Sequence, residues 1–188
     1  MVDHMNTQLT TFPILKIQWV DEKRFVEFWA ARYPTMNDSA YLSNIGRPLT
    51  SERLLALFEW KNNGPIARQK LSSIHRNYIK NPPDPPSPGD RNGLLAFIQQ
   101  PGGVIWRIFW LHCHDHLTYP IFDQHVYRSM RRLQNGCAAE IPIKNVEKAK
   151  AYVDEYLPFH ATLKYPDKKR IDEALWSYGK YLKEQNAL

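Results

Sequence analysis

The chain has 188 residues, 13% of them aromatic, and a formal charge of +6 at neutral pH. That length suits one domain able to bury a proper core, and the excess of Lys and Arg favours an anionic partner. The two cysteines, Cys113 and Cys137, exclude a disulfide scaffold and a four-cysteine iron–sulfur cluster within the chain.

In chain order, residues 1–20 read as an irregular lead in which Leu15, Ile17 and Trp19 alternate like a short half-buried strand. The opening residues lack a basic-then-apolar signal pattern, and no apolar run approaches membrane-spanning length. A cytoplasmic protein without a membrane partner is therefore expected. Asp21 predicts a cap on a helix from Glu22 to Tyr33, with Phe25, Val26, Phe28 and Trp29 as its apolar face. Residues 34–49 read as a loop around Pro34, Asn37 and Gly46. Thr50 caps a helix over 51–63 that buries Leu54, Leu55, Leu57 and Phe58. Asn62-Asn63-Gly64 ends it, and Pro65 suits the first turn of the next helix, which packs through Ile66, Leu71, Ile74, Tyr78 and Ile79. Residues 81–90 hold five prolines and make a stiff connector rather than a helix or a central strand.

The stretch from Leu94 to Leu133 organises the rest. Two helices are joined by Gln100-Pro101-Gly102-Gly103, and after a loop a third helix is opened by Asp123 and ended by Asn135-Gly136. Gly102 and Gly103 permit positive φ, and a helix beginning just after them points unpaired amide N–H groups outward, which suits a phosphate. Beyond it, residues 145–157 carry a helical pattern. The last helix, from Asp167 onward, has Ile171, Ala174, Leu175, Tyr178 and Leu182 at helical spacing. The expectation is an all-α protein without internal repeats.

The central stretch resembles the helix-hairpin-helix DNA glycosylases of base excision repair. Pro101-Gly102-Gly103-Val104 stands for the hairpin. Pro120 to Arg128 stands for the segment that carries the catalytic aspartate, its apolar lead, Asp, His-Val and Arg falling in register. The hairpin departs from the family pattern, since Gly103 occupies the apolar slot and Val104 the slot of the last glycine. The resemblance covers about the central third of the chain.

What the resemblance implies is a single helical domain over 1–188, acting on double-stranded DNA as a monomer without a cofactor. In this fold the N- and C-terminal helices pack together, and the connector at 81–90 leads to the hairpin and catalytic segment at 91–134. Asp123 would stabilise the positive charge that builds on the sugar as an N-glycosidic bond breaks, and would orient water. Gln100, Gly102, Gly103 and Val104, with Arg128, Arg131 and Arg132, would contact the DNA backbone. At the wedge or base pocket Trp60 would stack, Lys61 would meet phosphate and Asn62 would insert or hydrogen-bond, with Trp106, Trp110, His125 and Tyr127 lining the pocket for an extruded base. The family's Schiff-base lysine slot falls on Trp106 or Ile105, neither a nucleophile. The implied enzyme is monofunctional and uses water. Its departures from the pattern open a branch in which the target is a hypermodified base of viral DNA, in defence rather than repair.

Each of these residues also has an ordinary structural reading: Asp123 as a helix cap, the tryptophans as core, Asn62 as a helix stop, the arginines as a solvated face. Lys164, Lys168, Lys169 and Arg170 form a second basic group. His112 and His116 have the i, i+4 spacing of zinc ligands, but neither a third ligand nor the glutamate of the hydrolytic motif accompanies them, and no metal is expected. The rival functions are a catalytically silent DNA-binding module and a helical metal-dependent hydrolase.

Overall fold

Three short side chains start helices as their positions require. Asp21 accepts from the Arg24 amide at 2.9 Å, Thr50 from Arg53 at 3.3 Å and Asp90 from Gly93 at 2.8 Å, each satisfying an amide the helix leaves open. The computed structural model describes residues 21–34, 38–87 and 89–185, and among them it is all-α. The helices are α1 (Glu22–Ala30), α2 (Asp38–Asn44), α3 (Ser51–Lys61), α4 (Arg68–Ile74), α5 (Arg91–Ile98), α6 (Val104–His114), α7 (Gln124–Asn135), α8 (Asn145–Lys150), α9 (Leu157–Thr162) and α10 (Lys168–Gln185). The strand expected at residues 15–19 lies outside the described residues.

α1 ends at Ala30 rather than Tyr33, and the structure differs from the expected elements at three further places. Residues 38–44 form α2 rather than loop; Tyr41 is buried there, its ring 4.5 Å from that of Trp60 and 5.8 Å from His112. A seven-residue helix has little stability of its own, so this packing decides it. α4 begins at Arg68, not at Pro65, because the Asn62 amide ties down the carbonyls of Gly64 and Pro65 at 3.2 and 2.9 Å. The helix after residue 145 runs on past Pro158 to Thr162. A π-helical turn, Ala151–Tyr156, precedes the proline and resets the hydrogen-bond register, which leaves Pro158 in a new first turn where no N–H is needed.

A second π turn, His75–Ile79, extends α4 and delivers Tyr78 to the hairpin between α5 and α6. The Tyr78 hydroxyl donates to the Gly102 carbonyl at 3.1 Å, and Arg107 donates twice to Pro101 O, at 3.0 and 2.7 Å. Gly102 and Gly103 take φ of 119° and 89°, values that a side chain would strain.

α1 packs against α10. Phe25 and Trp29 of α1 meet Tyr178 of α10 at ring separations of 5.4 and 5.0 Å. The Glu22 carboxylate accepts from the amides of Lys164 and Tyr165, both at 2.6 Å. α10 also seats α7: the Ser129 hydroxyl donates to the Leu175 carbonyl, and Gly179 lies so close that a Cβ there would stand 1.9 Å from the His125 carbonyl oxygen. The first turn of α7 is thus held by backbone contact with α10. No helix among the described residues is long and apolar enough to cross a membrane.

Candidate functional site

Asp123 is the N-cap of α7. Its Oδ1 accepts from the amides of His125 and Val126 at 2.8 and 3.2 Å, which leaves Oδ2 to face the last turn of α3, where Lys61 Nζ lies 3.1 Å away. The two side chains are only 20% and 12% exposed. Burial pushes the Asp123 carboxyl upward, but the Lys61 ammonium, helped by His125 and the Val126 amide, more than offsets it and holds the group below the usual carboxylate value. Capping and display of an ionised oxygen therefore coexist in one residue.

That oxygen borders a cavity of about 470 Å³. Asp123, His125 and Val126 form one part of its wall, Trp60, Lys61 and Asn63 of the α3 end another, and Asp38 and Tyr41 of α2 a third. The remainder comes from Tyr33, Pro34, Ile121 and five residues of α10: Lys169, Asp172, Glu173, Trp176 and Lys180. A smaller hollow of about 260 Å³ shares Asp123 and His125 and is otherwise lined by Ile105, Gln124, Ile141 and Lys148. Asp123 and His125 thus stand between two recesses. The His125 ring lies 5.0 Å from that of Trp176, and burial, with Arg128 adding to it, lowers its basicity despite the Asp123 carboxylate.

Of the residues named from the resemblance, Asp123, Trp60, Lys61 and His125 come together at this cavity. Lys61 meets the carboxylate rather than phosphate. Asn62 is turned away and spent on Gly64, Pro65 and Lys70; its neighbour Asn63, at φ 58°, lines the cavity instead. Trp110 is buried against Phe97 and Tyr127 is buried edge-on to Phe122, so these two are core and not a base pocket; Trp106 is half-buried, stacked on Phe58 at 5.0 Å, and does not line the cavity of Asp123. The apolar face of α6 points inward, and the inward turn of α7 carries Tyr127 with it. Gln100 and Gly103 are exposed, Gly102 is half-buried and Val104 is buried at the hairpin; none lines the cavity of Asp123.

Among the three arginines, Arg128 is a correction as well. Arg128 is 1% exposed, binds both oxygens of Glu140 at 2.6 and 2.8 Å and donates to the Gly179 carbonyl at 2.9 Å. Arg131 pairs with Glu155 at 3.1 Å, and Arg132 donates to the Gly136 carbonyl. Arg128 is therefore interior and not a phosphate contact, whereas Arg131 and Arg132 are half-buried and each holds one partner. Arg128→Met should destabilise the fold by about 2 kcal/mol, read by urea denaturation, because the Gly179 carbonyl loses a charged donor.

His112 has both ring nitrogens in use. The Tyr119 carbonyl at 2.8 Å can only accept, so Nδ1 carries the proton and Nε2 accepts from the Tyr41 hydroxyl at 2.9 Å. Burial pulls its pKa down to about 4. The His116 ring is 6.3 Å away at 75°, and among the described residues no group of three His, Cys, Asp or Glu is placed to hold a metal ion.

The wall from α10 was not anticipated. Its signal is a polar stripe, Lys169, Asp172, Glu173, Trp176 and Lys180, at steps of three and four on the side away from the apolar positions. Lys169 belongs to the second basic group, but its ammonium is bound by Asp38 at 2.6 Å and by Glu173. Compared with protein-family models, curated proteins and solved structures, the chain matches none.

Proposed function

We propose that the protein is a monofunctional DNA glycosylase acting on a damaged or modified base, in the sense the central segment implies. The observation that carries this reading is one ionised carboxylate, Asp123 Oδ2, on the wall of a cavity of about 470 Å³ edged with aromatic rings. A nucleotide swung out of the duplex places its base beside Tyr33 and Trp60, whose rings line the cavity. As the C1′–N bond breaks, its electron pair leaves with the base and positive charge grows on the sugar beside Asp123. Water adds to C1′ and gives up a proton, and the base departs after taking one up. The products are an abasic site and a free base. In this reading the protein partner is double-stranded DNA and the chemistry needs no cofactor.

Mass spectrometry of small molecules released from DNAs of varied base content tests the proposal. Release of a free base supports it, and no release from any DNA ends it. Borohydride should trap no covalent protein–DNA adduct. An adduct that disappears in Lys61→Gln would replace the water mechanism with amine chemistry.

Lys61 has its own expected signature. Lys61→Met removes the main influence lowering the Asp123 pKa and leaves the burial that raises it. Wild type should therefore keep its kcat/KM down to below the ordinary carboxylate value of about 3.9, whereas the variant should lose it above that value. Coincident acid limbs would show that the pair does not govern the reaction. The sign for stability is the same: the pairing contributes above the unfolded-state value and is lost as pH falls through the lowered folded one.

A further inference from the structure

Four residues of α10, Lys169, Asp172, Glu173 and Trp176, share one helix face and line the cavity that Asp123 borders. Trp176 presents an aromatic ring there, and Tyr33 meets it edge-on at 5.4 Å. The charges on this wall are arranged in a particular way. Lys169 is bound by Asp38 and Glu173, Lys61 by Asp123, and Asp172 lies 3.5 Å from the buried His160. Those pairings orient the carboxylates without using all their lone pairs, since a carboxylate has about four acceptor sites. What the wall offers a guest is therefore acceptors beside aromatic faces.

Three properties of the guest follow. It carries hydrogen-bond donors. It is not an anion, because four carboxylates, Asp38, Asp123, Asp172 and Glu173, face it. It is not a strong cation either, since Lys61, Lys169 and Lys180 line the same cavity and nearly balance them. In size, about 470 Å³ lies in the range that encloses a ligand of drug-like dimensions, larger than a flat base alone requires. A neutral, polyhydroxylated ring meets all of these conditions. Its C–H face stacks on an indole while its hydroxyls donate to carboxylates.

We infer that this wall is a subsite for a sugar substituent on the extruded base, with Glu173 and Asp172 accepting from its hydroxyls and Trp176 stacking on its ring. The inference rests on the glycosylase reading and names the chemical class of the base: one bearing a hexose on its edge.

The test uses duplexes identical but for one base: cytosine, 5-hydroxymethylcytosine, or the latter with glucose attached. Wild type should release the glucosylated base with kcat/KM at least about tenfold above the hydroxymethyl base, since a site built around hydroxyl donors rejects guests that lack them. Trp176→Ala and Glu173→Gln should each lower that ratio about tenfold, with folding checked by thermal melting. Binding of the three duplexes to Asp123→Asn should show the same order and needs no turnover. Equal kcat/KM and equal binding for the glucosylated and hydroxymethyl duplexes, or a ratio that neither variant moves, overturns the inference while leaving the glycosylase intact. Absence of base release from every DNA removes the glycosylase reading and this subsite with it.

Discussion

Asp123→Asn should lower base release by about a thousandfold, within the range of roughly 10² to 10⁴ that a positioned acid or base supplies. Asparagine is chosen because it caps a helix about as well as aspartate, so the contacts to the His125 and Val126 amides survive. What it loses is the negative charge on the oxygen that faces Lys61. That ammonium, only 12% exposed, is then left without its counter-charge, and stability should fall by about 1–2 kcal/mol. The two effects separate by measurement. On the glycosylase reading, DNA affinity should hold or rise, because one negative charge facing a polyanion has been removed, while kcat falls. Asp123→Ala removes the cap as well and should be the less stable of the two. If Asp123→Asn turns over at the wild-type rate, the carboxylate is a cap alone.

Gly179→Ala should cost about 3 kcal/mol of stability, at the upper end of what overpacking usually does. The added Cβ would lie 1.9 Å from the His125 carbonyl oxygen and 2.6 Å from its carbon, and both are backbone atoms that no rotamer change can move. Alanine is the better helix former by about 1 kcal/mol, so intrinsic propensity works in the opposite direction and is outweighed by the clash. α10 must back away from α7, and the first turn of α7 carries Asp123 and His125. Base release should therefore fall even far below the variant's melting temperature, because Asp123 Oδ2 and Lys61 Nζ no longer stand 3.1 Å apart. A melting temperature within a degree or two of wild type would show that the helices are not seated on this glycine.

The end of α3 shows how sequence reading works and where it stops at the site. Trp60, Lys61 and Asn62 stood out as one segment, and Trp60 and Lys61 do border the cavity. The chemistry of Lys61 was read as contact with phosphate, because a lone lysine in a sequence has no visible partner; Asp123 lies 62 positions away. Arg128 of α7 was misread for the same reason. An arginine in a basic run looks free for phosphate until Glu140 and the Gly179 carbonyl are brought against it. Trp110 and Tyr127 were taken for pocket residues on their chemistry, and their burial could only be known once the inward faces of α6 and α7 were known.

By itself the sequence determined the local events. These are the caps at Asp21, Thr50 and Asp123, the turn at Pro101-Gly102-Gly103, the helical spacing of the last helix and an all-α class. Each depends on interactions within a few residues of one another. The tertiary structure alone decided that residues 38–44 are helical, that Arg128 is interior, and that α2, α3, α7 and α10 enclose one cavity. Those outcomes depend on pairs such as Lys169 with Asp38, 131 positions apart, and on the approach of Gly179 to His125. Packing energy over such separations is a property of the assembled helices, and no window of the chain contains it.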